Sequence, residues 1–291
     1  MGVRFGTSVG SPMPRRWPRG IRGGPTALPS THATARRAAR GAKNTQEGSK
    51  DGSGDRWKST LSARVLRTEE ERRAFVAEHT ELAPVPLVPE IRLYRAQAVG
   101  PVWFETARWL DDDDADVPFW CVPWAGGQAL ARYVLDHPDL VRGARVLDFA
   151  CGSGLVAIAA AQAGAHVHAV DVDPIARTAT EMNAAHHGLS LRATTQDLVG
   201  DSLANYDVLL AGDVWYEPLP SALFRRWFRS LATTKLVLTG DSGRPYAPRR
   251  ARELARYEVP TPFELEAREK RTARVLAIEA NVPARRRRFG A

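Results

Sequence analysis

The middle of the chain contains a short run of small residues that is suited to binding a cofactor. Residues 146–154 read VLDFACGSG, an apolar strand that leads into a turn containing Gly152 and Gly154. Small residues let the backbone approach a ligand closely, and the start of the following helix presents free amide groups. The segment therefore predicts a nucleotide cofactor bound at Gly152 and Gly154, by a turn that dinucleotide enzymes also use.

Three acidic residues at predicted strand ends indicate which nucleotide binds. Asp148 lies just before the turn, where a pyrophosphate would be repelled but the ammonium group of a methionine moiety would be attracted. Asp171 ends the second strand and is placed to hold two ribose hydroxyls. Asp197 follows the third strand and is placed to accept a hydrogen bond from an adenine amino group. The three acids favour S-adenosylmethionine over NAD. The alternative is that they are ordinary surface acids at strand ends.

From residue 126 onward, helix-like and strand-like segments alternate along the chain. The predicted helices span residues 128–135, 155–163, 174–186 and 218–231, and the predicted strands span residues 145–149, 166–170, 206–211 and 235–239. This alternation predicts an α/β, Rossmann-like fold with a mostly parallel sheet covered by helices on both faces. Residues 263–266 and 274–278, separated by a charged segment, predict a C-terminal antiparallel hairpin.

Outside this region we predict a small N-terminal helical cap and two basic tails. Residues 1–58 are rich in Gly, Pro, Ser, Ala and Arg without apolar periodicity, which predicts disorder. Thr68 and Glu71 have the spacing of a capping box, so a short helix should run to Ala77. The expected domains are a tail over 1–58, the cap over 59–118, a catalytic domain over 119–280 and a tail over 281–291.

The positive charge is concentrated in the tails. Of the formal net charge of +8, residues 1–58 contribute +9, Arg285 to Arg288 contribute +4, and residues 59–280 are left with −5. A mildly acidic body disfavours a surface that follows nucleic-acid phosphates and suits a basic substrate such as a lysine-bearing protein. The run from Asp111 to Asp114 either faces such a substrate or is a solvated acidic loop.

Cysteine and histidine usage predicts neither a disulfide framework nor a metal site. The two cysteines are Cys121 and Cys151, and His186 and His187 are expected to end a helix. The sequence contains no run of about 18 consecutive apolar residues, as a membrane span would need. We expect no membrane or nucleic-acid partner and a cytoplasmic location, or the mitochondrial matrix if the basic N-terminus is a transit peptide. Nothing in the sequence indicates the oligomeric state.

Three further segments resemble one enzyme family. Residues 119–130 (FWCVPWAGGQAL) precede the first strand of the sheet, residues 212–217 (GDVWYE) follow the fourth, and residues 240–245 (GDSGRP) follow the fifth. Together they resemble the lysine methyltransferases that modify the β subunit of electron transfer flavoprotein, a branch related to ribosomal-protein lysine methyltransferases. The resemblance covers about residues 89 to 280 and implies S-adenosylmethionine as methyl donor and a protein substrate, in this family the flavoprotein β subunit.

The resemblance also implies roles for particular residues. Trp124 matches a Trp-x-Gly-Gly segment and is expected to close the cofactor pocket. Asp213 and Tyr216 match an Asp-x-x-Tyr signature beside the transferred methyl group, so Asp213 is expected to touch both cofactor and lysine. Glu217 is a second acid within reach, and Arg244 matches a Gly-Arg-Pro turn at the rim of the site. Asp213, Tyr216 and Glu217 are thus the predicted catalytic residues.

The chain departs from the family pattern at two small residues. Ala150 stands at the usual first glycine of the turn, which should still permit binding. Ala125 replaces the proline after the tryptophan, which affects only the rigidity of that loop.

Methyl transfer to lysine requires a neutral amine in line with the methyl group. We expect Asp213 to orient the amine and accept its proton, and Tyr216 or Trp215 to guide the ammonium by cation–π contact. The alternative for both aromatic residues is a place in the core.

Two other functions remain open at the level of sequence. A ribosomal-protein, nucleic-acid or small-molecule methyltransferase would have the same fold, although the Asn-Pro-Pro-Tyr motif of base and glutamine methylation is replaced by Gly-Asp-Val-Trp at residues 212–215. A silent cofactor-binding module would retain Asp148 and Asp171 but would not need the Asp213 and Tyr216 pair.

Overall fold

The computed structural model describes residues 67–261 and 269–280. Its helices are α1 (Glu69–His79), α2 (Val99–Leu110), α3 (Ala125–Asp136), α4 (Leu155–Gln162), α5 (Pro174–His186) and α6 (Pro218–Leu231). Its strands are β1 (Glu81–Val85), β2 (Val88–Arg95), β3 (Arg145–Phe149), β4 (His166–Asp171), β5 (Arg192–Thr195), β6 (Val208–Gly212), β7 (Leu236–Asp241), β8 (Ala251–Pro260) and β9 (Lys270–Ile278). Short 3-10 turns lie at Phe119–Cys121 and Pro138–Leu140.

The strand that precedes the glycine turn lies near the middle of a seven-stranded sheet. The strand order is β5-β4-β3-β6-β7-β9-β8, in which the first five strands are parallel and β9 is antiparallel to both of its neighbours. The predicted Rossmann-like sheet is therefore confirmed. The strand order reverses between β3 and β6, and ligands of such sheets bind at the carboxyl edge of this switch point.

Alternating residues of the central strands feed two separate cores. Val208 and Leu210 of β6 pack with apolar residues of α3 and α4 on one face of the sheet. Leu209 and Ala211 pack on the other face with Trp227, Phe228 and Leu231 of α6. Because both faces are covered, the central strands are continuously apolar, which is the property that made them recognisable in the sequence.

The N-terminal part has more strand structure than the sequence predicts. The capping box at Thr68 and Glu71 is present and α1 begins as expected, although it continues to His79. The proline-containing stretch that follows, for which the sequence predicts no element, forms the antiparallel pair β1–β2. Prolines are tolerated here because each strand of a two-stranded sheet has one unpaired edge. The helical cap is thus a helix, a hairpin and a second helix, α2.

The C-terminal hairpin exists, but its first strand lies earlier in the chain than the predicted one. Residues 251–260 form β8 and pair with β9, whereas residues 263–266 lie outside the described residues. β8 alternates Arg, Glu and apolar residues and forms the edge of the sheet. Charged side chains on an edge strand oppose pairing with other chains, and they also hide the strand from a hydrophobicity pattern.

Several sequence predictions fall on parts of the chain that the structure does not describe. These are the tail over residues 1–58, the transit-peptide alternative and the run Arg285 to Arg288. Within the described ranges, the longest apolar helices are too short or too polar to traverse a bilayer. The same residues contain no group of three His, Cys, Asp or Glu side chains arranged as metal ligands.

Candidate active site

The predicted site residues meet at the carboxyl edge of the sheet. Asp148 is the second-last residue of β3, Asp171 ends β4 and Asp213 follows β6, so the three carboxyl groups flank the switch point between β3 and β6. Parallel strands place their carboxyl ends on one edge, which explains why residues distant in sequence converge there.

The small residues of the turn are required mainly by its backbone conformation. Ala150, Gly152 and Gly154 have φ values of 56°, 53° and 77°, in the left-handed region. A Cβ at Gly154 would lie 2.7 Å from the methyl group of Thr180 in α5, so this glycine is needed for helix packing. A Cβ at Gly152 would meet nothing closer than 3.8 Å, the carbonyl oxygen of Phe119. The space beside Gly152 is therefore the part of the turn that a ligand can approach.

The Asp148 side chain is buried and contacts protein backbone. Its exposure is 1 %, and Oδ2 accepts a hydrogen bond of 2.8 Å from the backbone N–H of Ala157 in α4. Burial raises the pKa of this carboxyl to about 8, with a further contribution from the negative charge of Asp171. The structure thus gives Asp148 a role at the start of α4, and its contact with a methionine ammonium stays a prediction.

Asp171 fixes the turn while keeping part of its carboxylate accessible. Oδ2 accepts from the backbone N–H of Gly152 at 2.9 Å, and Oδ1 accepts from that of Asp173 at 3.0 Å. The side chain is half-buried, and burial raises its pKa to about 6. Each carboxylate oxygen has a second acceptor direction. Two ribose hydroxyls can therefore donate to a group that the protein already holds in place.

Asp213 is the most constrained acid of the site. Its φ is 52°, a left-handed conformation that Asp tolerates better than most residues, and its backbone N–H donates to the carbonyl of Gly240. Oδ2 accepts from the N–H of Gly127 at 2.8 Å, and Oδ1 accepts from the hydroxyl of Ser242 at 2.9 Å. The carboxylate is thereby held in one orientation at the edge of the sheet.

Burial and charge set the proton affinity of Asp213. The residue is 8 % exposed, and burial raises its pKa to about 6, while the nearby Arg244 and the bonds from Gly127 and Ser242 oppose that rise. The carboxyl is therefore mainly ionised at neutral pH, when it can hold a cation or accept a proton.

Three aromatic side chains form one wall of the site. The ring of Phe119 lies 5.8 Å from that of Trp124 and 5.4 Å from that of Tyr216, centroid to centroid. The indole N–H of Trp124 donates to the carbonyl of Phe119 at 3.0 Å, and the guanidinium of Arg244 lies 5.9 Å from the Trp124 ring. Tilted rings at these distances form a rigid, partly apolar surface beside the acids.

Tyr216 stays protonated over the whole physiological range. Burial raises the pKa of its hydroxyl, and the negative charges of Glu217, Asp171 and Asp116 raise it further. Its hydroxyl is therefore within electrostatic range of the ribose-side acid Asp171 as well as of Glu217 and Asp116. Tyr216 can therefore donate a hydrogen bond there but does not act as a base.

The remaining predicted residues lie in different surroundings. Trp215 is fully buried, and its indole N–H donates to Thr239 at 2.9 Å, so the suggestion that it guides a lysine is wrong. Glu217 is 7 % exposed and forms the N-cap position of α6. Asp197 is exposed, and its Oδ1 accepts from the N–H of Val199. Its other oxygen is left to meet a ligand at the end of β5.

Sequence reasoning missed three residues that shape the site. Ser242 holds Asp213, Phe119 joins Trp124 to Tyr216, and the fully buried Asp241 binds Arg274 of β9 at 2.5 Å. Asp241 ends β7 and Ser242 follows it, both within residues 240–245, and their polar character at a strand end is the signal that could have identified them. Phe119 begins the segment of residues 119–130 that resembles the family, but its residue type does not predict the contact that joins Trp124 to Tyr216.

Taken together, the site offers a backbone turn, a fixed acid on either side of it and an aromatic wall. Asp171 and the turn suit a nucleoside, while Asp213, Tyr216 and Trp124 surround the space that a cationic group would enter. This chemistry fits a positively charged sulfonium nucleoside better than a pyrophosphate, since Asp171 and Asp213, whose pKa values of about 6 leave them mainly ionised at neutral pH, would repel phosphate groups.

Comparison with known proteins identifies relatives for most of the described region. The family model for ribosomal protein L11 methyltransferase matches residues 128–214. A Xenopus laevis protein named electron transfer flavoprotein beta subunit lysine methyltransferase is 37 % identical over 176 residues, 59 % of this chain and 70 % of its own length. Its Rattus norvegicus counterpart is 35 % identical over 202 residues, 66 % and 78 % of the two chains. The solved structure of a ribosomal protein L11 methylase from Lactobacillus delbrueckii subsp. bulgaricus matches at 20 % identity and a TM-score of 0.39, over 54 % of this chain and 81 % of its own.

Proposed function

This chain belongs to the family of the electron transfer flavoprotein beta subunit lysine methyltransferases, and we propose that it methylates lysine side chains of that β subunit. Membership makes it an S-adenosylmethionine-dependent protein-lysine methyltransferase. The observation that carries the proposal is the fixed carboxylate of Asp213 beside the aromatic wall, opposite the glycine turn. A cofactor-binding module without catalysis would not need that arrangement.

S-adenosylmethionine, when bound, supplies a methyl group on a positively charged sulfur. The residues present fit it: Asp171 would hold the ribose hydroxyls, the turn at Gly152 and Gly154 the methionine portion, and Asp197 the adenine amino group. Trp124 would cover the pocket from the side of α3. Asp148 would act on the cofactor through α4 and the turn, since its carboxylate is bound to Ala157.

The lysine must arrive and lose its proton before it can attack. A free lysine has a pKa of about 10.4, so on the order of one molecule in a thousand is neutral at pH 7. Asp213 attracts the ammonium but by its charge also holds the proton on the amine. Burial of the amine between Tyr216 and Trp124 removes water from it and thereby lowers its pKa, which opposes the effect of Asp213. Alignment of the two reactants is then the main source of rate.

Proton acceptance is the second task of Asp213. Its pKa of about 6 lies above that of an ordinary aspartate, which makes it a better base than a solvated carboxylate. The phenol of Tyr216 stays neutral and can accept a hydrogen bond from the incoming amine while donating to an acid beside it. Glu217, buried next to Tyr216, adds negative charge that favours a cationic substrate.

A ribosomal protein is the second candidate substrate. It is favoured by the match of the ribosomal protein L11 methyltransferase model, which covers β3 to β6 and includes Asp148, Asp171 and Asp213. The match ends at residue 214 and does not include Tyr216 or the GDSGRP segment. The flavoprotein subunit is therefore the first substrate to test.

The test is a methylation assay with recombinant flavoprotein β subunit and isotopically labelled S-adenosylmethionine, followed by mass spectrometry of the modified lysines. The variant of choice is Asp213→Asn, because it keeps an acceptor for Gly127 and a partner for Ser242 while removing the charge. We expect turnover to fall by roughly 10²-fold or more with cofactor affinity nearly unchanged. Asp213→Ala is less informative because it also leaves the N–H of Gly127 without an acceptor.

If the wild-type enzyme leaves the flavoprotein β subunit unmethylated, the proposed substrate is overturned. Ribosomal protein would then be tested as substrate in the same assay. Full activity of Asp213→Asn would remove that carboxylate from the mechanism. The cytoplasmic or matrix location and the absence of nucleic-acid and membrane partners remain predictions that this assay does not touch.

A further inference from the structure

One side of the molecule carries arginine without acidic residues. Helix α6 and the connector of residues 242–250, which follows β7, contain no Asp or Glu. Their arginines are Arg225, Arg226, Arg229, Arg244, Arg249 and Arg250. Since residues 59–280 as a whole have a net charge of −5, this surface, which we call the arginine face, is an exception on an acidic body.

The two elements of the arginine face form one continuous surface. Arg225 of α6 donates from Nη1 to the carbonyl of Tyr246 in the connector at 2.7 Å. The outer side of α6 forms a groove, whose lining includes Arg225, Arg226 and Arg229. Arg249 and Arg250 are exposed at the end of the connector. The charges therefore lie side by side on neighbouring elements.

Three exposed arginines of this face lack acidic partners in the described part of the chain. Among the described residues, no carboxylate lies within ion-pair distance of Arg226, Arg249 or Arg250, whereas Arg132 and Arg145 on other surfaces each hold a close carboxylate. Unpaired guanidinium groups collected on one surface produce a positive potential that internal ion pairs do not neutralise.

The arginine face begins at the rim of the active site. The connector leaves the carboxyl edge of the sheet at Asp241, and its Arg244 lies against Trp124. Helix α6 begins directly after Tyr216 and Glu217. With a rise of about 1.5 Å per residue, Arg229 lies about 16 Å along the helix from its start. A protein whose lysine enters the site would therefore cover this face.

Two apolar side chains on the same elements complete the surface. Leu219, in the first turn of α6, is 56 % exposed, and Tyr246 of the connector is 36 % exposed. Among the described residues these are the large apolar side chains with the greatest exposure. Exposed Leu and Tyr beside unpaired arginines are the composition of a protein interface, in which Arg and Tyr are enriched.

We propose that the arginine face docks an acidic surface of the protein substrate, so that the enzyme binds carboxylates around the target lysine while its site binds the lysine itself. The proposal rests on the proposed function, because it assigns part of substrate recognition to a surface outside the catalytic crevice. Arginine suits this task because its planar guanidinium binds a carboxylate with two parallel hydrogen bonds.

A protein fits this surface better than a nucleic acid. The rim beside it carries the carboxylates of Asp213, Glu217 and Asp116, which attract a lysine but would repel phosphates that follow the surface into the site. Leu219 and Tyr246 also offer apolar contact to a folded partner. The two signs of charge therefore match a substrate with a lysine next to an acidic patch.

The test compares steady-state methylation of the flavoprotein β subunit by the wild-type enzyme and by the double variant Arg226→Glu/Arg250→Glu. Neither side chain has a described partner, so the fold should be retained, which circular dichroism checks. We expect KM for the protein to rise about tenfold with kcat and cofactor affinity nearly unchanged, and the salt dependence of KM to weaken. Arg142→Glu is the control for charge reversal on another surface, where Arg142 is exposed and pairs with Asp139, and it should leave KM unchanged.

The outcomes separate this proposal from the proposed function. An active wild-type enzyme whose KM does not change in the double variant would overturn the docking surface and leave the substrate standing. No methylation by the wild-type enzyme would overturn the proposed function and the docking surface with it. A double variant that loses affinity for a short labelled RNA while its KM for the protein is unchanged would make the face a nucleic-acid site and also overturn the proposal.

Discussion

At the scale of single residues, Asp148 and Asp213 perform the same task on different helices. Asp148 accepts from the N–H of Ala157, the third residue of α4, and Asp213 from that of Gly127, the third residue of α3. Neither helix has a capping side chain of its own at its N-cap position. Each carboxylate thus satisfies a free helical amide from a neighbouring strand end, and so fixes a helix terminus relative to the sheet.

The pKa of Asp148 predicts a pH-dependent stability. The folded carboxyl, with a pKa of about 8, keeps its proton where the unfolded one, near 3.8, has lost it. Its contribution to stability is therefore present below pH 3.8 and is lost as the pH rises through about 8. Asp148→Asn cannot ionise, so its melting temperature relative to wild type should increase between these pH values and stay constant above them. Thermal melts of the cofactor-free protein over that range measure the difference.

Asp148→Ala is the control for the hydrogen bond itself. It removes the acceptor for the N–H of Ala157, and relative to Asp148→Asn, which also cannot ionise, we expect a loss of about 0.5–2 kcal/mol in the free energy of unfolding that does not depend on pH. A difference in melting temperature between wild type and Asp148→Asn that is the same at every pH would contradict the raised pKa of Asp148.

At the scale of elements, the site depends on a close contact between the start of α3 and the end of β7. Gly240 and Gly126 touch through their backbones: a Cβ at Gly240 would come within 1.9 Å of the carbonyl oxygen of Gly126. A Cβ at Gly126 would lie 2.7 Å from both Asp213 Oδ2 and the backbone of Gly240. Trp124 and Asp213 are neighbours because these glycines let the helix approach the sheet so closely.

Two adjacent glycines provide a matched test of this contact. Gly126→Ala should destabilise the fold by roughly 1–3 kcal/mol, because its methyl group meets backbone that cannot move aside. It should also weaken cofactor binding, since α3 must shift away from Asp213. Gly127→Ala meets nothing within 4 Å and should instead stabilise the helix by roughly 0.5–1 kcal/mol. Denaturant unfolding measures the stability of the two variants, and calorimetric titration measures their cofactor affinity. Equal effects of the two substitutions would contradict the close contact between Gly126 and Gly240.

The elements also show what a local sequence pattern can predict. The apolar strands β3, β6 and β7 and helix α6 were predicted within two residues of their ends, because burial on both sides of a sheet leaves a local signal. Helix α3 begins three residues before its predicted start, at Ala125, because the N–H of Gly127 is capped by Asp213 from 86 residues away. β8 and the β1–β2 pair were missed because charged and proline-containing edge strands lack that signal. In the site, motifs located Asp213 and Tyr216, whereas the Ser242 and Phe119 contacts arise only from folding.

At the scale of the whole molecule, the N-terminal part packs against the catalytic part through an aromatic cluster, while Ile91 and Leu93 of β2 belong to the apolar core on the α3–α4 face of the sheet. Phe75 of α1 stacks on Trp109 at the end of α2 at 4.6 Å and meets the edge of Trp120 at 6.5 Å. Ile175 of α5 belongs to the same cluster. Since Trp120 is next to Phe119 of the site wall, the cluster connects α1 to the cofactor crevice.

Truncation of that cluster tests whether the N-terminal part and the sheet unfold together. Phe75 is 4 % exposed, so Phe75→Ala should cost about 3–5 kcal/mol in the free energy of unfolding. If the parts form one cooperative unit, the melt should stay a single transition at lower temperature, and cofactor affinity should fall because the segment that carries Phe119 loses support. Phe75→Leu, which fills most of the space, should lose much less unfolding free energy and much less cofactor affinity. Calorimetry measures the stability and cofactor titration the affinity. If the wild-type protein melts in two separate transitions and Phe75→Ala moves only the first, α1 and α2 fold independently of the crevice.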